Sequence, residues 1–426
     1  MQAPKPWWKG LLSNKAREGA GRRQRRKSVA LVAAIATIAV TALSQTTPWR
    51  LVEMRAYDFL STTLPPARPT DGPVIVAIDE PSFAELKQQW PWPRGLHAQL
   101  VTALREAGAR SIGLDVIFAE PSDAAADGAL AAAVGPDVVL AADESLIETP
   151  QADQIVRAEP LPELTATGAS SGVASIVLDP DGALRRMPLY ADGFAAALMR
   201  MGGASPPDVP AGALMQSFGP ARSYPTVSYY QALDPVNFLP PDFFRGKTVI
   251  VGLSMQSAPT TDAGGADAYA TSWTARTGRL TSGAEIQATV HDNLAAGLFA
   301  TPVPPAGGIA ATALAGLVGA LVVWRRTGWR TIAATILALA AFIAGSFLLL
   351  RFGRIYLPPL SPALAFVTVA ATQGARDYAA ERRLRQDITR AFSQYLSPVL
   401  VERLANDPSK LRLGGEKRTL KHIRLY

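Results

Sequence analysis

The chain has 426 residues and no cysteine, which excludes a disulfide framework and a thiolate metal site. Its 3 histidines, His97, His291 and His422, argue against a multi-histidine metal centre, so neither a metal nor a cofactor is expected in this chain. The formal charge of +7 is unevenly spread: residues 48–305 carry 16 basic and 28 acidic side chains, and the remainder carries 26 and 7. Basic flanks around an acidic middle mark membrane orientation rather than a nucleic-acid face, and no nucleic-acid partner is expected.

Residues 1–27 form a basic leader ending in Arg22, Arg23, Arg25, Arg26 and Lys27. An apolar run over 28–47 follows, about the 20 residues a helix needs to cross the hydrocarbon core. Ala42 and Ser44 would also suit signal-peptide cleavage, but the leader is long for that role and a retained helix is expected. Three more apolar runs lie at 306–324, 331–350 and 355–375, the last holding Pro358, Pro359 and Pro362. Four transmembrane helices are therefore expected.

Arg325, Arg326 and Arg330 follow the second run, and Arg376, Arg382, Arg383 and Arg385 follow the fourth. Together with the leader they put both termini in the cytoplasm and residues 48–305 outside. Only Arg351 and Arg354 run against this bias. The expected location is the inner, cytoplasmic membrane, with a multi-pass chain and the lipid bilayer as its first partner.

Within 48–305, Pro73–Ile78 and Ser111–Phe118 read as near-continuous apolar strands, joined by a helix from about Pro93 to Ala107 with Gly108 at its C-terminal cap. Val138–Ala142 and Lys247–Gly252 look like further buried strands. Between them, Ala174–Leu178 and Ala183–Tyr190 read as a hairpin around the turn Asp179–Gly182. A helix over about Ser282–Leu298 leads to the second apolar run. The whole is an α/β domain with a mixed, partly parallel sheet.

Asp79 ends a strand before a helix, where capping is its expected role. Asp115 interrupts an apolar strand, and a lone buried carboxylate is costly, so pairing with Arg94 is expected. Trp90 and Trp92 read as packing anchors. Asp179–Gly182 is a turn with too few oxygen ligands for calcium. In a parallel sheet small ligands bind at the carboxyl ends of strands. Asp79, Arg94, Asp115, Thr260, Thr261 and Asp262 form the candidate ligand site. Paired-carboxylate hydrolysis by Asp79 and Asp115 is a weaker reading, because no nucleophile–base set accompanies them.

These motifs, in order, resemble a known family. Val74–Ser82 with Asp79-Glu80, Trp90-Pro-Trp-Pro-Arg94, Gly113-Leu-Asp115, Asp179-x-Asp181-Gly182-x-x-Arg185-Arg186 and Gly246–Gly252 are similar to the second class of CHASE extracytoplasmic sensor domain. The resemblance implies reception of an unknown extracytoplasmic ligand on behalf of a cytoplasmic output domain.

Residues 376–426 form the inner end, a helix over 376–404 with a break at Pro398. Leu384, Ile388, Ala391 and Tyr395 repeat at four–three–four spacing, a candidate seam for a homodimer. An amphipathic helix lying on anionic lipid is the alternative. Ala391–Leu404 and Leu411–Arg418 resemble the entry of class III adenylate/guanylate cyclase domains. In that family a strand bearing a metal-binding aspartate follows at once. Here Thr419–Tyr426 offers no position for the metal-binding aspartates, the purine-selecting pair or the transition-state arginine. No catalytic residue is therefore expected, and two-metal chemistry would need a separate cyclase output chain. The alternative is an incomplete or split form of an active membrane adenylate cyclase making cyclic AMP from ATP.

Overall fold

The computed structural model describes residues 27–147, 152–188, 190–255, 267–325 and 329–392. It divides into two compact units: Val40–Thr312 with Ala338–Ala363, and Met1–Ala39 with Ala313–Leu337 and Leu364–Tyr426.

In the first unit the strands are, in chain order, β1 (Val74–Ile78), β2 (Ser111–Ile117), β3 (Val138–Ile147), β4 (Gln154–Ala158), β5 (Ser170–Val173), β6 (Ala183–Leu184), β7 (Thr226–Ser228), β8 (Thr248–Leu253), β9 (Ala268–Thr271), β10 (Thr281–Ser282), β11 (Thr301–Pro302) and β12 (Ile355–Tyr356). The main sheet runs β4-β3-β2-β8-β1-β7, with β5 also on β3. All its pairings are parallel except β3 with β4. The expected mixed, partly parallel sheet is therefore present, and β8, late in sequence, lies between β1 and β2.

The sheet is apolar on both faces because helices cover both. On one face Val74, Val76, Ile112, Leu114, Val249 and Val251 pack with Leu100, Val101 and Leu104 of helix Arg94–Glu106. On the other, Ile75, Val139 and Ile250 pack with Phe194 and Leu198 of helix Phe194–Met201 and with Ala284 and Ala288 of helix Gly283–Ala296. Each fully buried side chain of this size contributes roughly 1.5–3 kcal/mol. The close approach of helix Phe194–Met201 needs Gly113, where a Cβ would meet Phe194 Cζ at 2.7 Å.

The turn at 179–182 forms as expected, Gly182 N–H donating to the Asp179 carbonyl at 2.8 Å. The hairpin around it does not. Residues 174–178 form no strand, and β6 pairs in parallel with β9 instead.

Among the described residues, three helices are long and apolar enough to cross a membrane: Lys27–Ser44, one whose apolar span is Pro305–Val323, and Trp329–Gly353. The expected fourth span, 355–375, is not among them. Ile355 and Tyr356 are spent on β12, and the last helix begins only at Leu360 and runs to Phe392. Its apolar stretch is cut short by Gln373, Arg376 and Asp377, which makes the helix as a whole less apolar than the other three. In the second unit Val29, Ala36, Ala320 and Val369 form a small apolar core. Gly316, facing Thr37, and Gly319, facing Phe366, let these helices approach closely.

Candidate sensor cleft and its links to the membrane segments

A cleft of about 1280 Å³ opens at the carboxyl ends of the parallel strands. Asp115 to Phe118 at the end of β2, Ala142 to Leu146 of β3, Leu253 of β8 and the segment after β5 line it. This is the position where open parallel sheets bind ligands.

Asp115 lies on its floor, but not beside Arg94. Side chains alternate faces along a strand, so Ile112 and Leu114 meet helix Arg94–Glu106 while Gly113 and Asp115 point to the opposite face. There Asp115 is in register with Gly252 of β8, and a Cβ on Gly252 would meet both Asp115 and Ala284. Arg94 instead donates to Asp127 at 2.7 Å and to the Glu120 carbonyl. The expected Arg94–Asp115 pair is thus replaced by an Arg94–Asp127 pair at the cleft rim.

The neighbour that Asp115 does have is another acid. Burial and the charge of Asp267 both push the Asp115 carboxyl well above the usual carboxylate range. Burial pushes Asp267 up to about 6. Asp267 adopts φ 57°, and a Cβ on Gly283 would collide with its carboxylate, so the absence of a side chain there makes its seat. Tyr269 is pushed up to about 12 by burial and by the charges of Asp267, Asp115 and Asp143. Among the described residues no Arg or Lys forms an ion pair with Asp115 or Asp267. No group of three or more His, Asp or Glu among them is placed to hold a metal ion.

The other sequence-derived residues separate. Asp79 is outside the cleft and caps helix Glu80–Leu86, accepting from Ser82 N at 3.1 Å and Ser228 Oγ at 2.7 Å. The capping role expected for it is the one it has. Thr260, Thr261 and Asp262 lie outside the described residues. Trp92 is buried against Phe83 and Tyr229, with ring centroids 5.0 and 4.8 Å away, and Trp90 lines the cleft. Buried His97 accepts from or donates to Tyr229 Oη at 3.0 Å, and burial lowers it to about 4, so it is neutral near neutrality.

The residues that sequence reasoning missed join the domain to the chain beside the apolar helices. Helix Thr47–Ser61 follows the first apolar helix. Its Asp58 takes a two-pronged hydrogen bond from Arg185, Nε and Nη2 each 2.8 Å away. Asp179 and Asp181 of the turn hold the remaining guanidinium nitrogen, at 3.2 and 2.7 Å. One turn back, Glu53 accepts from Leu360 N at 3.1 Å and from Ser361 N and Oγ at 2.7 Å each, capping helix Leu360–Phe392. Tyr356 Oη donates to the Glu53 carbonyl at 2.6 Å, and Trp49 Nε1 to Ser361 Oγ at 2.8 Å. The Asp-x-Asp-Gly-x-x-Arg spacing was the available signal for half of this, since it gathers two carboxylates beside an arginine. Nothing in the spacing of Glu53 and Asp58 marked their partners.

At the inner end, Leu384 is exposed on helix Leu360–Phe392. Ile388 and Ala391 lie on the same helix, and Tyr395 is outside the described residues.

No curated protein and no solved structure matches the chain. The family pattern of the CHASE2 domain matches residues 32–324. By that match, which spans the α/β domain with its cleft, the chain belongs to the CHASE2 family of extracellular sensor domains.

Proposed function

We propose that the chain is a membrane signal receptor of the adenylate/guanylate cyclase type. A stimulus occupies the cleft outside the cytoplasm, and the change passes through helix Thr47–Ser61 to helix Leu360–Phe392 and so to a cyclase output. The observation that carries this reading is the double engagement of helix Thr47–Ser61. Asp58 is held by Arg185 of the sensor domain, and Glu53 caps the last helix. Two rigid elements bonded to one short helix move with it, which is how small displacements travel through packed structure.

In this reading both termini are cytoplasmic, the apolar start of helix Leu360–Phe392 makes the last return across the inner membrane, and two copies meet through Leu384, Ile388, Ala391 and Tyr395. The catalytic core comes from a separate output chain or from sequence adjoining this one.

Because the chain has no cysteine, a single Leu384→Cys variant reports the seam cleanly. Oxidation in membranes should give a cross-linked dimer, whose yield changes when Asp58→Asn breaks the link to the sensor. Cross-linking that is absent, or indifferent to Asp58, would remove this reading. Purified chain alone should form no cyclic nucleotide from ATP or GTP. A class III catalytic domain joined after Leu404 should become sensitive to Asp58→Asn.

A further inference from the structure

The chemistry of the cleft specifies what it accepts. Six of its lining side chains are carboxylic acids: Asp115, Glu120, Asp123, Asp143, Glu144 and Asp267. Some are already engaged. Asp123 caps helix Ala124–Ala133, Asp143 accepts from Ser145 and Ser175 at 2.7 Å each, and Glu144 lies 3.7 Å from Arg157. Arg94 is the basic residue among the lining residues, and its guanidinium is spent on Asp127 and the Glu120 carbonyl. On the floor, Asp267 accepts a hydrogen bond from Tyr269, but among the described residues neither it nor Asp115 has a basic partner, and both face the cavity.

An unpaired acid pair enclosed by protein is expensive to keep ionised. The fold nevertheless builds it, seating Asp267 against a glycine and placing Asp115 at the end of a central strand. Above the floor the walls are apolar and aromatic: Val116, Ile176, Leu253, Tyr269 and, toward the rim, Trp90. A cavity with an anionic floor and such walls matches a cation carrying a short hydrocarbon body. Divalent metal fits less well, since calcium takes about 6–8 oxygen ligands and the described residues offer no such cluster.

We propose that the cleft binds an organic cation, a primary amine or guanidinium whose charged head sits between Asp115 and Asp267. This inference rests on the reading of the cleft as the receptor's ligand site, and it names the ligand's chemical class. The head would donate hydrogen bonds to both carboxylates, and the carbon chain would lie along Ile176 and Tyr269 toward Trp90. Anions are excluded by the same floor.

The test uses the full chain in lipid nanodiscs and calorimetric titration with agmatine and putrescine. Succinate, 1,4-butanediol and calcium chloride serve as comparison probes, all at constant ionic strength. A cation of the panel should bind one per chain, and Asp115→Asn or Asp267→Asn should each weaken it by about tenfold or more, the loss of one charge-assisted hydrogen bond. If an Asn variant misfolds, the wild-type chain still decides. Its affinity for the cation should rise between about pH 5 and about pH 8 as the floor ionises.

Tighter binding of succinate or butanediol, equal cation binding by the doubly substituted chain, a preference for calcium, or no binding of either cation would each overturn the proposal. A neutral or anionic ligand that enters the cleft and alters the Leu384→Cys cross-link would end the cation assignment and leave the receptor reading intact. Cation binding with no change in that cross-link would do the reverse.

Discussion

Arg185 and Asp58 stand 127 residues apart in sequence and meet in a buried, two-pronged ion pair, both nitrogen–oxygen distances 2.8 Å. Arg185 is 1% exposed, and Asp179 and Asp181 satisfy its other nitrogen. Removing the cation strips buried Asp58 of its guanidinium and leaves Asp179 and Asp181 only Arg186 and Arg55, at 2.9 and 3.4 Å. Arg185→Ala should therefore cost about 3–5 kcal/mol, read by denaturant unfolding of the full chain in detergent. Arg185→Lys should recover only part, because an ammonium cannot present the planar fork. A loss below about 1 kcal/mol for Arg185→Ala would mean that water replaces the guanidinium there.

The acid pair predicts a pH signature. Asp267, at about 6 in the fold against 3.8 for a free side chain, binds its proton more tightly folded than unfolded. Its contribution to stability is thus fully present below about pH 4 and is lost as pH rises through about 6. Asp115 acts in the same direction. His97, lowered from 6.5 to about 4, acts in the opposite one, gaining stability for the fold as pH rises. Asp267→Asn leaves His97 in place, so the difference from wild type isolates the acid. Relative to wild type the variant should gain about 1–3 kcal/mol between pH 4 and pH 7, measured by thermal unfolding. A flat difference would show the pair to be solvated.

Asp79 caps helix Glu80–Leu86 and also anchors Ser228, where β7 passes into the next helix. Asp79→Ala should cost about 1–2 kcal/mol, and Asp79→Asn less, since the amide oxygen still accepts from the helix. Cation binding in the cleft should be unchanged in both, because Asp79 does not line it. A change in binding without a change in stability would return Asp79 to the ligand site.

Glu53 accepts from the first two amides of helix Leu360–Phe392. In Glu53→Ala those amides, Leu360 and Ser361, should exchange hydrogen faster in mass spectrometry. Those of β1 and β8, in the centre of the sheet, should not change. The stability loss should be about 1–2 kcal/mol. Unaltered exchange at Leu360 and Ser361 would mean that another acceptor serves the helix.

Much of the sheet was legible because β1, the first halves of β2 and β3, and nearly all of β8 are buried and so read as apolar runs. Three-residue β7 carries too little pattern to be seen, and β6 was misassigned because a good turn suggests a hairpin even when its arms pair elsewhere. Asp115 was correctly singled out as a carboxylate in an apolar strand. Its partner was misjudged because sequence proximity favoured Arg94, whereas the alternation of faces sends the two side chains to opposite sides of the sheet. The contacts of Glu53 and Asp58 span 127 residues or more, and no local pattern encodes them. The shortfall at 355–375 has a similar cause, since a hydropathy count does not see two residues diverted into a strand.

That strand has a consequence for how the chain can vary. Thr301 and Pro302 of β11 pair in register with Ile355 and Tyr356 of β12. Helices Pro305–Arg325 and Trp329–Gly353 therefore lie within a loop of chain whose two ends are tied together. Deleting one residue from either helix would turn whatever follows it by about 100° while the tie holds the ends. Substitutions in these helices change only packing, but changes of length must be absorbed by strain or by breaking the tie. Across descendants of this sequence, the spacing between Pro302 and Ile355 should drift far less than the residues that fill it.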